Sequence, residues 1–376
     1  MSQAVAVALD PRSLQLIILP TEKCNFRCTY CYETFEVGRM KRATIDGIKR
    51  LVEARVSQGT LRSLSLSWFG GEPLLAREVM LEIAAAGLAM HAAGRLEAFS
   101  GEVTTNAYLL TPAVLAELVA LRQTTYQISL DGYGAGHDET RRYASGKGTF
   151  EVIWRNLLAA RDTSLSFQIT LRCHLTRANE ASMAELVDHI GREFRGDARF
   201  NVFFKPIENL GGPNSKAITT LDKLLARERV DRLQECLEDA GLHVSAVIDG
   251  PESSTGAPII APLVRKPATP TPLAAPPADP TGLASFAGYI CYAAKPNSLM
   301  VRADGSIGKC TVLLDDPRNR VGRLNEDGTV TLDADLINQV WMRGFASNNA
   351  RELGCPAQNL PRLTPPSAPV ASASAA

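Results

Sequence analysis

The sequence predicts an α/β protein built on a parallel sheet, and three observations predict it. Short apolar runs alternate with helical patterns, polar and cysteine-bearing segments follow the ends of the apolar runs, and hydrophobic and charged residues stand at 45% and 21% of 376 residues, ordinary for a globular chain. At about 150 residues per domain the length suggests two domains, or one with an appendage. Forty basic residues cancel forty acidic ones, so no net field draws the chain to nucleic acid or an anionic membrane surface. No apolar run approaches the roughly eighteen residues that cross a bilayer, and residues 1–13 lack the basic-then-apolar order of a secretory signal. The expected location is cytoplasmic, with neither a nucleic-acid nor a membrane partner.

Residues 13–19 read as a buried strand stopped by Pro20, and 44–56 carry apolar residues at helical spacing. Five further strands are expected at 63–69, 99–105, 125–131, 165–173 and 199–204, with helices between them at 77–93, 111–121, 149–160 and 179–194. Thr111 before Pro112 is a helix start, a capping hydroxyl followed by a proline at the first helical position. Each crossover must bury its helix on the sheet, so the six units imply parallel strands with chemistry at their carboxyl ends. Gly70-Gly71-Glu72-Pro73, Thr105-Asn106, Ser129-Leu130-Asp131 and the stretch from Lys205 to Asn209 fall at such ends. A helix is expected near 221–240. Residues 251–280 then hold nine of the 22 prolines, a linker or loop, and Asp304-Gly305 and Asp327-Gly328 signal hairpins in a small β-rich appendage. The Ala/Ser/Pro-rich end at 359–376 reads as a disordered tail.

Eight cysteines are too sparse for a disulfide scaffold. Cys24, Cys28 and Cys31 fall within eight residues after the first strand, close enough to reach one metal centre, and no histidine lies in the loop. A structural zinc site would need a fourth ligand, whereas three thiolates on a four-iron cube leave one iron open. Zinc and iron–sulfur readings both remain on the residues alone.

The pattern Cys-x3-Cys-x-aromatic-Cys resembles the signature of the radical S-adenosylmethionine (radical SAM) enzymes. The resemblance spans most of the chain and implies a partial (β/α)6 TIM-like barrel over 1–215, a helical connection at 216–250, the proline-rich segment at 251–282 and an auxiliary-cluster domain at 283–358. It implies a [4Fe-4S] cluster on Cys24, Cys28 and Cys31, with SAM on its open iron. By the same resemblance Gly70, Gly71, Glu72 and Pro73 meet the methionine amino group, Asn106, Ser129 and Asp131 meet ribose and carboxylate, and Tyr30 lies near adenine. The segment from Ser129 to Arg141 resembles that of the peptide-modifying branch, where Arg141 pairs with the SAM carboxylate.

Cys291, Gly305 and Cys310, with Cys355 further on, resemble the opening of a SPASM extension or its shortened Twitch form, and imply a second, auxiliary [4Fe-4S] cluster. The alternative is three buried apolar thiols. Cys173 and Cys236 match no ligand pattern and are expected in the core, and His91, His174, His189 and His243 stand isolated. The implied function is maturation of a ribosomally made peptide or protein by crosslinking, epimerisation or oxidation, fed by an external electron donor. The rival is a Twitch-type dehydrogenase of a small molecule such as an aminocyclitol. Anaerobic sulfatase-maturing enzymes carry an acidic base directly after the cysteine matching Cys310, where this chain has Thr311. No precursor-binding domain is evident before Ser13, so a separate recognition protein or the groove between barrel and appendage is expected to take the peptide.

Overall fold

The computed structural model describes residues 3–246, 289–357 and 360. The predicted proline-rich segment at 251–282 lies outside the described residues, as does the predicted tail at 359–376 apart from Leu360.

A short helix α1 (Gln3–Ala8) leads into β1 (Ser13–Ile18), a small strand β2 (Phe26–Cys28) and α2 (Arg42–Ser57). The alternation continues through β3 (Ser63–Trp68), α3 (Arg77–Ala92), β4 (Ala98–Thr105), α4 (Pro112–Ala120) and β5 (Gln123–Leu130). After α5 (Ala135–Asp138) and β6 (Arg141–Tyr143) come α6 (Phe150–Arg161), β7 (Gln168–Leu175), α7 (Glu180–Glu193), β8 (Phe200–Pro206) and α8 (Lys223–Glu238). The six expected strands are β1, β3, β4, β5, β7 and β8, adjacent in that order and all parallel. At Thr111 the expected cap forms: its hydroxyl accepts from the Val114 N–H at 3.4 Å, with Pro112 opening α4.

Each strand has two chemically distinct faces. Leu14, Leu16 and Ile18, then Leu64, Leu66 and Trp68, then Tyr126, Ile128 and Leu130, are buried on the side where α3 and α4 pack. Gln15, Ser65, Ser67, Glu102, Gln127, Ser129 and Arg172 alternate with them on the opposite face, where the Gln15 amide donates to Ser67 Oγ at 3.0 Å. That polar face is concave. From β3 to β8 a flat sheet would span four strand spacings, about 19 Å, yet residues ending β4, β5, β7 and β8 and those just after β3 line one cavity of about 160 Å³. The sheet must curl around it, as a partial barrel does.

Strands outside this set extend the sheet. β9 (His243–Ala246), not expected from the sequence, adds parallel to β8 at one edge. At the other, β10 (Ser298–Val301) pairs parallel with β1, and β11 (Ser306–Gly308), β12 (Gly322–Leu324) and β13 (Val330–Leu332) follow antiparallel, making a sheet of eleven strands among the described residues. Both predicted hairpin turns form, with Gly305 and Gly328 at φ of 83° and 87°. Cys173 is buried in β7 as expected, but Cys236 is exposed. The buried stripe of α8 runs through Ala226, Val230, Leu233 and Leu237, and Cys236 falls on its flank, its thiol directed at the Arg232 carbonyl of its own helix at 3.5 Å.

Candidate functional site: a three-thiol loop over a polar cavity

Cys24, Cys28 and Cys31 line the cavity together with Tyr30, Gly70, Gly71, Asn106, Ser129 and Arg141. Of the residues expected to bind SAM, the structure places six in the cavity wall and keeps Glu72, Pro73 and Asp131 behind it. Burial pushes the thiols up, Cys31 to about 12 with Glu33 and Cys28 adding to the shift; Cys24 is raised in the same way, first by burial and then by Glu72. The Phe26 N–H donates to Cys24 Sγ at 3.3 Å. Thiols so disposed ionise only when a metal group supplies positive charge. Among the described residues no three His, Cys, Asp or Glu side chains converge tightly enough to hold a single metal ion. Three half-buried thiols along one cavity wall suit a multinuclear cluster, whose irons each take a different sulfur.

The Gly70-Gly71 pair lets the cysteine loop lie directly on the end of β3. Gly70 has a φ of 113°, and a Cβ there would stand 2.3 Å from the Thr21 carbonyl oxygen. A Cβ on Gly71 would stand 2.5 Å from the Lys23 carbonyl oxygen and 2.7 Å from that of Glu22. Glu72 is fully enclosed and engaged with protein groups. Its Oε1 accepts from the Leu74 N–H at 3.0 Å and the Thr105 hydroxyl at 2.7 Å, and its Oε2 accepts from the Asn106 N–H at 2.7 Å. Glu72 thus ties β3 to the end of β4 and caps the turn that Pro73 opens. Asn106 in turn donates to Asn25 Oδ1 at 2.8 Å, holding the start of the cysteine loop.

Tyr30 joins the loop to the far strands. Its hydroxyl accepts from Arg141 Nη1 at 2.7 Å and donates to Asp131 Oδ1 at 3.1 Å. His174 Nδ1 lies 3.0 Å from the same Asp131 oxygen, and Thr140 donates to the other at 2.6 Å. Burial works to raise the Asp131 carboxyl, but the His174 hydrogen bond and the nearby Arg141 outweigh it and hold it below the usual carboxylate range. Burial drops His174 to about 4, so it is neutral and donates through Nδ1. Sequence reasoning set His174 aside as isolated; its place in the network follows from parallel pairing of β5 with β7, which no local pattern reveals. Arg172 and Lys205 also line the cavity.

Cys291, Cys310 and Cys355 are all buried and within electrostatic range of one another. Burial pushes Cys310 to about 12 and Cys291 to about 11. Asn319, unremarkable in the sequence, organises the Cys310 turn. Its Oδ1 accepts from the Lys309 and Cys310 N–H groups at 3.0 and 2.9 Å, and its Nδ2 donates to the Cys310 and Leu313 carbonyls at 2.7 and 2.9 Å. Thr311, in the place of the acidic residue, shares a 2.9 Å hydrogen bond with the Tyr292 hydroxyl. Tyr32 lies within electrostatic range of both Cys31 and Cys310. A buried ion pair clamps the cysteine loop to the end of β10: Arg302 donates through Nε and Nη2 to both Glu22 oxygens at 2.8 and 2.6 Å.

The comparisons agree with this geometry. Residues 18–190 match the family model described as the radical SAM superfamily. The GTP 3',8-cyclase of Xanthomonas campestris pv. campestris (strain B100) is 28% identical over 233 residues, 58% of this chain and 61% of that one. The serine-type anaerobic sulfatase-maturating enzyme of Klebsiella aerogenes is 27% identical over 187 residues, 48% of this chain and 45% of that one. The chain thus spans about 61% of the length of the first of these curated relatives. Among solved structures, native anSMEcpe with bound AdoMet and Cp18Cys peptide is similar with a TM-score of 0.57 at 19% identity, over 89% of this chain and 82% of that one. Streptococcus suis SuiB bound to precursor peptide SuiA gives 0.56 at 15%, over 91% and 67%; at such identities the likeness is one of fold. No helix among the described residues is long and apolar enough to cross a membrane. The match to the radical SAM superfamily over residues 18–190 takes in the cysteine loop on the rim of the curled parallel sheet.

Proposed function

We propose that the enzyme is a maturase of a ribosomally made peptide or protein, carrying a second, auxiliary cluster in a C-terminal unit from about residue 283. The observation that carries this reading is a second set of three thiols, Cys291, Cys310 and Cys355, all buried, in addition to the three that line the cavity. The solved structures it resembles include two that hold a peptide, which supports a peptide in that cavity.

In this reading Cys24, Cys28 and Cys31 hold the [4Fe-4S] cluster that SAM completes, and Cys291, Cys310 and Cys355 hold the auxiliary one. When bound, the first cluster and SAM supply a 5′-deoxyadenosyl radical that takes a hydrogen atom from the substrate. Arg141, aimed by its bond to Tyr30, holds the SAM carboxylate. Asp131 acts one step back, fixing Tyr30 and His174. Asn106 and Ser129 offer polar contacts from the ends of β4 and β5, while Glu72 and Pro73 brace the turn on which the loop rests. Electrons come from an external donor, and a separate recognition protein or the groove between barrel and appendage takes the peptide. The Xanthomonas GTP 3',8-cyclase at 28% identity favours a second reading, radical chemistry on a small molecule.

Anaerobic reconstitution tests the cluster content: about eight irons are expected for two four-iron clusters, and about four would remove the auxiliary one. Incubation with SAM, dithionite and a candidate precursor peptide should yield 5′-deoxyadenosine and a mass change on the peptide. Turnover of a nucleotide or cyclitol with no peptide product would favour the second reading. Replacing Cys24, Cys28 and Cys31 by Ala should abolish SAM cleavage, and Cys310→Ala should spare cleavage but impair product formation.

A further inference from the structure

The cavity holds more positive charge than the proposed cofactors use. Its wall carries three cationic side chains, Arg141, Arg172 and Lys205, against one exposed carboxylate, Glu208. Arg141 is engaged by Tyr30 and reserved for SAM in the reading above. Lys205 and Glu208 lie 3.1 Å apart and neutralise each other. Arg172 remains. It stands on the concave face of β7, two residues before His174, and its Nε is enclosed with no hydrogen-bond partner among the described residues. Its electrostatic neighbours are Tyr30, Tyr32, Glu208 and a second cation, Arg141. A guanidinium held away from water with an unused donor is costly unless something accepts from it.

We propose that Arg172 is a carboxylate-recognition subsite for the substrate. This rests on the peptide reading of the cavity and deepens it: the group recognised is an acidic side chain or a C-terminal carboxylate. The planar guanidinium fork matches both oxygens of a carboxylate, which a lysine does not. β7 places this fork on the cavity wall formed by the later strands of the sheet.

The test uses the cluster-reconstituted, SAM-loaded enzyme and three blocked tripeptides: Ac-Gly-Glu-Gly-NH2, Ac-Gly-Gln-Gly-NH2 and Ac-Gly-Gln-Gly-OH. Dissociation constants are read by titration calorimetry under anaerobic conditions. Either carboxylate peptide should bind about tenfold to a hundredfold more tightly than the neutral one, and whichever of the two gains identifies the source of the carboxylate. Arg172→Gln should erase that preference, and Arg172→Lys should restore only part of it. The SAM-induced shift of the cluster's EPR signal reports that each variant is folded and loaded. Equal binding of all three peptides overturns the proposal, as does a preference that survives in Arg172→Gln. Loss of the SAM shift in both Arg172 variants also overturns it, because Arg172 would then serve SAM. Failure of the peptide reading looks different: 5′-deoxyadenosine forms with a nucleotide or cyclitol, which is turned over, and no peptide product appears.

Discussion

The clamp between Arg302 and Glu22 should be among the most expensive contacts in the molecule to break singly. Both residues are buried, at 8% and 3% exposure, and the pair joins the cysteine loop to the end of β10 through two charge-assisted hydrogen bonds. A third bond runs from Arg302 Nη1 to the Leu314 carbonyl at 2.8 Å. Arg302→Met would leave the Glu22 carboxylate enclosed beside Glu33, which burial and Glu22 already push up to about 8. Removing one partner of such a pair costs about 3–5 kcal/mol, most of it from the charge left behind. Glu22→Gln combined with Arg302→Met removes both charges and should recover much of the loss, a coupling of at least about 2 kcal/mol. Urea unfolding of the anaerobically prepared protein, followed by tryptophan fluorescence, measures both. A single-variant cost below about 1 kcal/mol, the range of exposed pairs, or a double variant no better than the sum of the singles, would refute the clamp.

Three further outcomes are expected. His137 and His174 are both depressed to about 4, chiefly by burial, against about 6.5 in the unfolded chain. The stability they contribute is full above about pH 6.5 and is lost as pH falls toward 4, at up to about 1.4 kcal/mol per pH unit for each. His137→Gln should remove one proton from that slope in urea titrations between pH 4 and 7. Gly71→Ala places a methyl against two backbone oxygens of the cysteine loop; it should cost about 1–3 kcal/mol and weaken the SAM-induced change in the cluster's EPR signal. Asn319→Ala breaks four hydrogen bonds around Cys310 and should lower the reconstituted iron count by about four while SAM cleavage persists.

The parallel architecture was legible because its causes are local. Short apolar runs marked β1, β3, β4, β5, β7 and β8, helical spacing marked the helices between them, and the Thr111–Pro112 cap is a two-residue signal. The cysteine loop was equally plain, its thiols being fixed in chain spacing. The short strand β9 and the exposed flank of α8 were not, since four residues carry too little pattern and one helical position decides whether Cys236 faces the core.

The spacing of Cys24, Cys28 and Cys31 by itself placed three thiols in one loop after the first strand, and the alternation of strand and helix patterns implied a parallel sheet. Only the curl of the sheet decided that His174, Arg172 and Lys205, from strands over a hundred residues later in the chain, share a wall with that loop. Only the parallel pairing of β10 with β1 brought Arg302 to Glu22 and Cys310 within electrostatic range of Tyr32. The physical reason is that hydrogen-bonded period and chain spacing act over a few residues, whereas the charge balance of a cavity depends on groups that meet only after long-range strands have closed around it.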